Sequence, residues 1–182
     1  MFKKLKVDAE QRRIWAVDGG LNGNGAGHLL SRTWLATCVY RFGRYANEIE
    51  TKPLKLVCKV LYYPLFFITQ GVTGISVQAH CKIQPGLVLN GTGGLFILAE
   101  TIGENFVVGS GVTVGNVRGS KNLPVIGNNV CIEPGAKILG EVTIGDNVLI
   151  RANSLVLTDI PDNTMAVGNP ARIKRKPDES ES

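Results

Sequence analysis

Two glycine-rich stretches and two histidines are the parts of this chain whose residue types and spacing could do chemistry. The segment VLNGTGGLFI (88–97) places Gly91, Gly93 and Gly94 within four positions inside an apolar run. Such a turn can cradle a phosphate on backbone N–H groups, let two backbones approach closely, or simply turn a corner. The residues alone leave these three alternatives open.

An earlier glycine cluster, DGGLNGNGAGH (18–28), follows the apolar stretch IWAV. It lacks the lysine of a P-loop, and His28 stands where a dinucleotide fingerprint needs glycine or alanine. We therefore predict a flexible loop before a helix that His28 opens. The second histidine, His80, lies in VQAHCK, where we predict a solvated turn.

The composition of the chain bounds its class. With 182 residues, 44% hydrophobic and 19% charged, it is long enough for one globular domain with a core. The net charge of +5 is dispersed and lacks interleaved aromatic residues, so we predict no nucleic-acid partner. Four cysteines without paired spacing argue against a metal site and a disulfide framework, and the N-terminus lacks the apolar core of a signal peptide. These features predict a reduced, cytoplasmic setting.

The most apolar stretch, PLKLVCKVLYYPLFFITQGV (53–72), has two interpretations. Lys55, Lys59 and Pro64 interrupt it, so it falls short of a clean membrane span. We predict that it belongs to a buried helix pair. Contact with a membrane surface is the minority alternative.

The strongest signal is a six-residue repeat in the second half of the chain. Aliphatic residues return at every sixth position from Ile126, and a small or β-branched residue follows each of them by four positions. The first series is Ile126, Ile132, Ile138, Ile144, Ile150 and Val156, and the second is Val130, Ala136, Val142, Val148, Ser154 and Ile160. The same step recurs upstream through Val77, Ile83 and Leu89, and then, one residue out of phase, through Ile102, Val108 and Val114.

A period of six fits neither a helix nor an alternating strand, but it fits a β-solenoid of hexapeptide repeats. Each hexad supplies one short strand and one turn, and three strands close a triangular coil. Residues 28–70 have helix-compatible spacing and would cap the exposed end of such a solenoid. We predict an N-terminal extension and helical cap over 1–72, a β-helix over 73–170, and a basic then acidic tail over 171–182.

Three segments carry a resemblance to a known family: GISVQAHCKIQPGLVL, VIGNNVCIEPGAKILGEVTIGDNVLIRANSLVL and VGNPARI. With them, residues 28–176 resemble the serine acetyltransferase branch of the left-handed β-helix acyltransferases. The resemblance implies a left-handed parallel β-helix and acetyl-CoA as co-substrate. It also implies a homotrimer or a dimer of trimers, with active sites between neighbouring prisms.

In that family a histidine in the turn before the next strand acts as general base, and here that position is Gly91. The supporting aspartate corresponds to Ser76, and a second family histidine corresponds to Leu123. All three side chains are absent, so the resemblance leaves the catalytic residues unknown. His80, in another hexad, is a weak replacement candidate. The implied substrate pocket consists of Ser76, Asn90, Gly91 and Thr92.

The cofactor side of the implied site is better preserved. The resemblance places the pantetheine arm in a groove between prisms, beneath a loop that corresponds to NVRGSKNLP (116–124). Positively charged side chains there would meet the phosphates of CoA. The implied cofactor-binding residues are Gly115, Asn116, Arg118, Lys121, Pro134, Ala152 and Lys174.

Two functions from different classes follow from these residues. The first is an acetyl-CoA-dependent O- or N-acetyltransferase that modifies a sugar or sugar nucleotide in polysaccharide biosynthesis, or alternatively serine. The second is a catalytically inactive hexapeptide-repeat scaffold or binding subunit. The preserved loop and closing motif favour the first, and the three missing polar side chains favour the second.

Overall fold

The structure is a computed structural model that describes residues 1–17, 31–91, 93–117 and 122–176. Three helices precede a series of short strands. The helices are α1 (Phe2–Val17), α2 (Arg32–Glu48) and α3 (Lys52–Thr73). The strands are β1 (Ile75–Val77), β2 (Lys82–Ile83), β3 (Val88–Asn90), β4 (Leu95–Ile97), β5 (Thr101–Ile102), β6 (Val107–Gly109), β7 (Thr113–Gly115), β8 (Val125–Ile126), β9 (Cys131–Ile132), β10 (Lys137–Leu139), β11 (Thr143–Ile144), β12 (Leu149–Ile150), β13 (Leu155–Val156), β14 (Thr164–Val167) and β15 (Arg172–Arg175).

The strands form three parallel sheets that wind as a triangular prism of five coils, so the predicted β-solenoid is confirmed. The first sheet has the order β1-β4-β7-β10-β13, the second β2-β5-β8-β11, and the third β3-β6-β9-β12-β14-β15. β15 is antiparallel to β14 and lies in the range predicted as the tail. Every residue of the two aliphatic series and of the upstream hexads is buried. The core is therefore the column of side chains inside the prism.

One corner of the prism is built from asparagines that stack from coil to coil. Asn105, Asn129, Asn147 and Asn163 all have φ between 53° and 58°, a region that asparagine tolerates better than most residues. Each side-chain amide donates to the next one, at 2.9, 3.1 and 2.9 Å. The polar residues between the hexads therefore turn the chain and also tie successive coils together.

The glycine-rich turn is longer than the corners of the regular hexads. Val77 pairs with Ile97 in the first sheet, so the corresponding step from Leu89 to Ile97 takes eight residues, whereas the step from Val77 to Ile83 takes six. Two extra residues are accommodated at this corner. The next step, from Ile97 to Ile102, takes five residues, so the net shift is the single residue seen in the sequence.

Helices α2 and α3 cover the first coil, as the sequence predicted for a cap. Ser31 caps α2 by accepting a hydrogen bond from the Trp34 N–H at 3.3 Å. The buried Tyr40 hydroxyl donates to the Cys81 carbonyl at 2.9 Å and accepts from the Ile83 N–H at 3.0 Å. These bonds satisfy backbone groups at the end of the solenoid that have no further coil to pair with.

Helix α1, which the sequence analysis did not predict, is anchored to the first coil by a buried ion pair. The Asp8 carboxylate accepts from Arg41 Nε at 2.8 Å and from Nη2 at 2.9 Å. It also accepts from the N–H groups of Gly86 and Leu87 at 2.8 and 2.9 Å. Arg41 in turn donates to two carbonyls of the first coil. Polar contacts therefore hold this helix in place. Because its sequence has little hydrophobic periodicity, the pattern of apolar residues did not predict it.

The prediction of a buried helix pair is wrong for the apolar segment 53–72. Of the residues of α3, only Tyr62, Thr69 and Thr73 are buried. The helix packs on one side, against α2 and the first coil, and its apolar side points away from the protein. Among the described residues, α3 is the one helix long and apolar enough to cross a membrane by length and composition.

Candidate active site

The glycine-rich turn lies at one corner of the prism, where the third sheet gives way to the first. The Gly111 N–H donates to the Gly93 carbonyl at 3.1 Å, which stacks the corner of the next coil on this turn. The Gly135 N–H donates to the Ser110 carbonyl at 2.9 Å, and the Asn153 N–H to the Pro134 carbonyl at 3.0 Å. We call this line of turns (90–91, 93–94, 109–111, 134–135 and 151–153) the Gly91 corner.

Gly91 has a backbone conformation that disfavours other residues. Its φ is +106°, where L side chains are strained. A Cβ built on Gly91 would lie 2.9 Å from both the Cβ and the Oγ of Ser110. The structure therefore gives a side chain at position 91 neither a relaxed backbone nor free space.

The turn does not behave as a phosphate cradle. The Gly93 N–H donates to the Thr73 carbonyl at 3.1 Å, and the Leu95 N–H donates to the Gly74 carbonyl at 3.2 Å. These two N–H groups already donate hydrogen bonds within the fold, so they are not free to bind a phosphate. A Cβ on Gly74 would lie 2.9 Å from the Gly93 Cα, so close backbone approach is one reason for glycine here. Beside Gly93 itself the turn is open, because a Cβ there would meet no atom within 4 Å.

The position that the resemblance assigns to the supporting acid lies on the outer surface of the first sheet. Ser76 pairs with Phe96, and the column continues through Thr113 and Lys137. Ser76 is buried and accepts a hydrogen bond from Gln78 Nε2 at 3.3 Å. The exposed Lys137 ammonium is 3.5 Å from Thr113 Oγ1. A cation and a hydroxyl thus lie on the same surface as Ser76.

The structure separates the implied cofactor residues into two groups. Pro134 and Ala152 are exposed at the Gly91 corner, whereas Gly115 and Asn116 lie at the opposite margin of the first sheet. Lys174 is exposed on β15, opposite Met165. Leu123 is half-buried next to β8. His28, Thr92, Arg118 and Lys121 lie outside the described residues.

His80 is not at the Gly91 corner. It is exposed between β1 and β2, where the first sheet gives way to the second, whereas Gly91 lies between β3 and β4. His80 instead lines a cavity of about 360 Å³ against α2 and α3. Within one chain, the width of the first sheet separates the two residues.

Cys81 and Cys131 offer no activated nucleophile at neutral pH. Burial raises the pKa of Cys81 to about 11, and burial, with the charge of Glu133, raises the pKa of Cys131 to about 11. A thiol must be ionised to attack a thioester, so these two groups are inert near pH 7. All four cysteines are free, and no group of three His, Cys, Asp or Glu that could hold a metal occurs in the described part of the chain.

Sequence reasoning missed Ser110, Phe96, Thr113 and Lys137 as residues of this surface. Along the column from Ser76 through Phe96 and Thr113 to Lys137, successive residues are 20, 17 and 24 positions apart, because the coils differ in length at the glycine turn and at the loop after β7. Aligning the coils on their inward aliphatic residues would have identified the outward-facing residues of neighbouring strands. The two long corners obscured this alignment in the sequence.

The fold and this corner are those of a hexapeptide-repeat transferase. The family described as "Bacterial transferase hexapeptide (six repeats)" matches residues 124–158. The serine acetyltransferase of Helicobacter pylori is 38% identical over 137 residues, which cover 73% of this chain and 77% of that protein.

Two solved structures are also similar. A serine acetyltransferase of Neisseria gonorrhoeae in complex with serine has a TM-score of 0.76 at 28% identity, covering 94% of this chain and 68% of that one. One of Brucella abortus in complex with coenzyme A has a TM-score of 0.78 at 26% identity, covering 93% and 65%.

This chain belongs to the serine acetyltransferase family. Its solenoid is the left-handed parallel β-helix that the resemblance implied, and the prediction of an acyltransferase that uses acetyl-CoA is confirmed.

The prediction of a sugar acceptor in polysaccharide biosynthesis is wrong. The relatives and the solved structures are serine acetyltransferases. The periodic aliphatic residues determine the prism and its stacking, and they are buried inside it. The repeat therefore carried no information with which to choose a sugar over an amino acid.

Proposed function

We propose that this chain transfers the acetyl group of acetyl-CoA to the hydroxyl of serine at the Gly91 corner, slowly, without a histidine as general base. In the reaction the hydroxyl oxygen attacks the thioester carbonyl carbon, the C–S bond breaks, and CoA leaves as the thiol. The hydroxyl proton ends on the thiol or on water. Family membership and the serine-bound relative support this acceptor.

The observation that carries the proposal is the open turn beside Gly93. Its outward side meets no neighbouring atom, while its backbone is fixed by bonds to Thr73 and Gly74. A rigid turn with open space beside it lets a small acceptor approach the backbone closely. The cofactor would lie along the exposed Pro134 and Ala152 of later coils, and Lys174 would meet its phosphates.

The absence of a base at position 91 sets the expected rate. A positioned general base contributes about 10²- to 10⁴-fold to such a reaction. Serine-dependent release of CoA should therefore be slower by about that factor than for the H. pylori serine acetyltransferase under the same conditions. The rate should rise with pH without an inflection in the histidine range near 6.5. Since His80 lies on another corner, His80→Ala should keep kcat/KM within about twofold.

The measurement is thiol release from acetyl-CoA with and without serine, across pH, together with calorimetry of serine and CoA binding. If serine does not increase thiol release, and if neither serine nor CoA gives a heat of binding, the proposal is wrong. An inflection near pH 6.5 that disappears in His80→Ala would assign the base to His80.

We also propose a homotrimer in the cytoplasm. A single prism presents convex corners, whereas sites that bury a ligand are concave, so a second prism has to complete the CoA groove. Light scattering at micromolar concentration should give three or six times the 19.6 kDa of one chain. A monomer would contradict this prediction, and it would leave the groove without its second wall.

A further inference from the structure

The side of α3 that points away from the protein is apolar, exposed and uncharged. In the usual amphipathic helix of a soluble protein, the apolar side instead packs against the core. Ten large apolar side chains are exposed along α3: Leu54, Leu56, Val57, Val60, Leu61, Tyr63, Leu65, Phe67, Ile68 and Val72. They span an arc of roughly 200° at 100° per residue. The polar Thr69 and Thr73 face the protein instead. We call the ten residues the outer face.

The size of the outer face requires an explanation. The helix has 22 residues, all described, and is therefore about 33 Å long. A continuous apolar surface of this length exceeds what a water-exposed surface usually carries, and such patches mark interaction sites. Leu61 and Phe67 near its middle are 54% and 66% exposed, so the face is not covered by the rest of the chain.

The charges around the outer face are positive. Helix α3 contains Lys52, Lys55 and Lys59 and no acidic residue. Lys55 is tied to the Asn47 carbonyl at 3.1 Å, but Lys59 lies at the rim, in the wall of the cavity that also contains His80.

That cavity adjoins the outer face and is lined by aromatic and polar side chains. Tyr63 and Phe67 belong to both, and Lys59 and Gln70 supply polar groups in the same wall. An aromatic and cationic rim beside an apolar helix is typical of helices that lie in the membrane interface. Anionic lipids attract such a rim through their headgroups.

We propose that the outer face of α3 lies in the surface of a bilayer that contains anionic lipids, with Lys59 and the adjoining cavity contacting a headgroup. The helix would lie in the plane of the membrane with its apolar side chains among the acyl chains. The solenoid would extend from the membrane surface, with the Gly91 corner outside the bilayer. This inference does not depend on which acceptor the enzyme acetylates.

The test is flotation of the 182-residue protein with vesicles of phosphatidylcholine alone or with about a quarter phosphatidylglycerol. We expect binding to the anionic vesicles that Leu61→Asp/Phe67→Asp lowers at least tenfold, because a bilayer excludes charge. The matched control is Leu157→Asp/Ile173→Asp, which adds the same charge at two apolar positions, each 49% exposed, at the other end of the solenoid. This control should bind like wild type.

Two further variants separate the contributions. Lys59→Gln should weaken binding to anionic vesicles about fivefold and leave phosphatidylcholine binding unchanged. Leu61→Gln/Phe67→Gln, whose melting temperature is measured alongside, keeps the test valid if the aspartate pair unfolds the protein. Equal vesicle binding by wild type and folded outer-face variants overturns the proposal. So does an absence of vesicle binding accompanied by a smaller oligomer in the outer-face variants, which would make the face an interface between copies.

Discussion

Replacing Asp8 by alanine is expected to lower the free energy of unfolding by about 3 to 5 kcal/mol, because it leaves a buried guanidinium without its partner. The carboxylate is fully buried and accepts four hydrogen bonds, two from Arg41 and two from the N–H groups of Gly86 and Leu87. For a chain of this size the melting temperature should fall by roughly 6 to 20 °C. Thermal unfolding followed by circular dichroism measures this shift.

The matched control for Asp8 is the exposed pair of Arg44 and Glu48. Their side chains meet at 3.1 Å one helical turn apart, and Glu48 is 51% exposed. Glu48→Ala should cost no more than about 0.5 kcal/mol, since solvent screens such a pair. If Asp8→Ala and Glu48→Ala unfold within about 2 °C of each other, α1 is not anchored as described.

Restoring a histidine at position 91 is expected to raise serine acetylation by up to about 10²-fold, provided that the turn is given room. Gly91→His together with Ser76→Asp would restore the family pair without backbone strain only if Gly91 had a negative φ. The observed φ of +106° does not meet this condition, and Ser110 occupies the space that a Cβ needs. Ser110→Gly removes the Cβ and Oγ, so the variant to test is Ser76→Asp/Gly91→His/Ser110→Gly.

The backbone strain of a non-glycine residue at position 91 remains in this triple variant and should cost about 1 to 3 kcal/mol. Its matched control is Ser76→Asp/Gly91→Ala/Ser110→Gly, which carries the same strain without an imidazole. We expect the control to remain as slow as wild type. The triple variant should gain a pH inflection in the histidine range. Equal rates for the two folded variants would show that the proton is not removed at this turn.

The sequence predicted the hexads correctly, but it did not predict the surroundings of Gly91. The six-residue period identified the inward positions because each aliphatic side chain there is buried in the prism, so the constraint is local and repeats. The resemblance assigns the base position to Gly91 and the supporting acid to Ser76, and these two assignments stay predictions. It did not reveal that Ser110, nineteen residues later, blocks position 91, because this contact joins two coils through a turn of irregular length.

The sequence by itself determined the solenoid, the helical cap and the presence of glycine rather than histidine at position 91, to which the resemblance assigns the base. These properties follow from residue type at fixed spacing, which the chain displays directly. The tertiary structure decided the rest: that α3 turns its apolar side outward, that Asp8 anchors an unpredicted helix, and that His80 and Gly91 lie on different corners. Each of these depends on which elements pack together, because burial and distance are set by contacts between residues far apart in the chain.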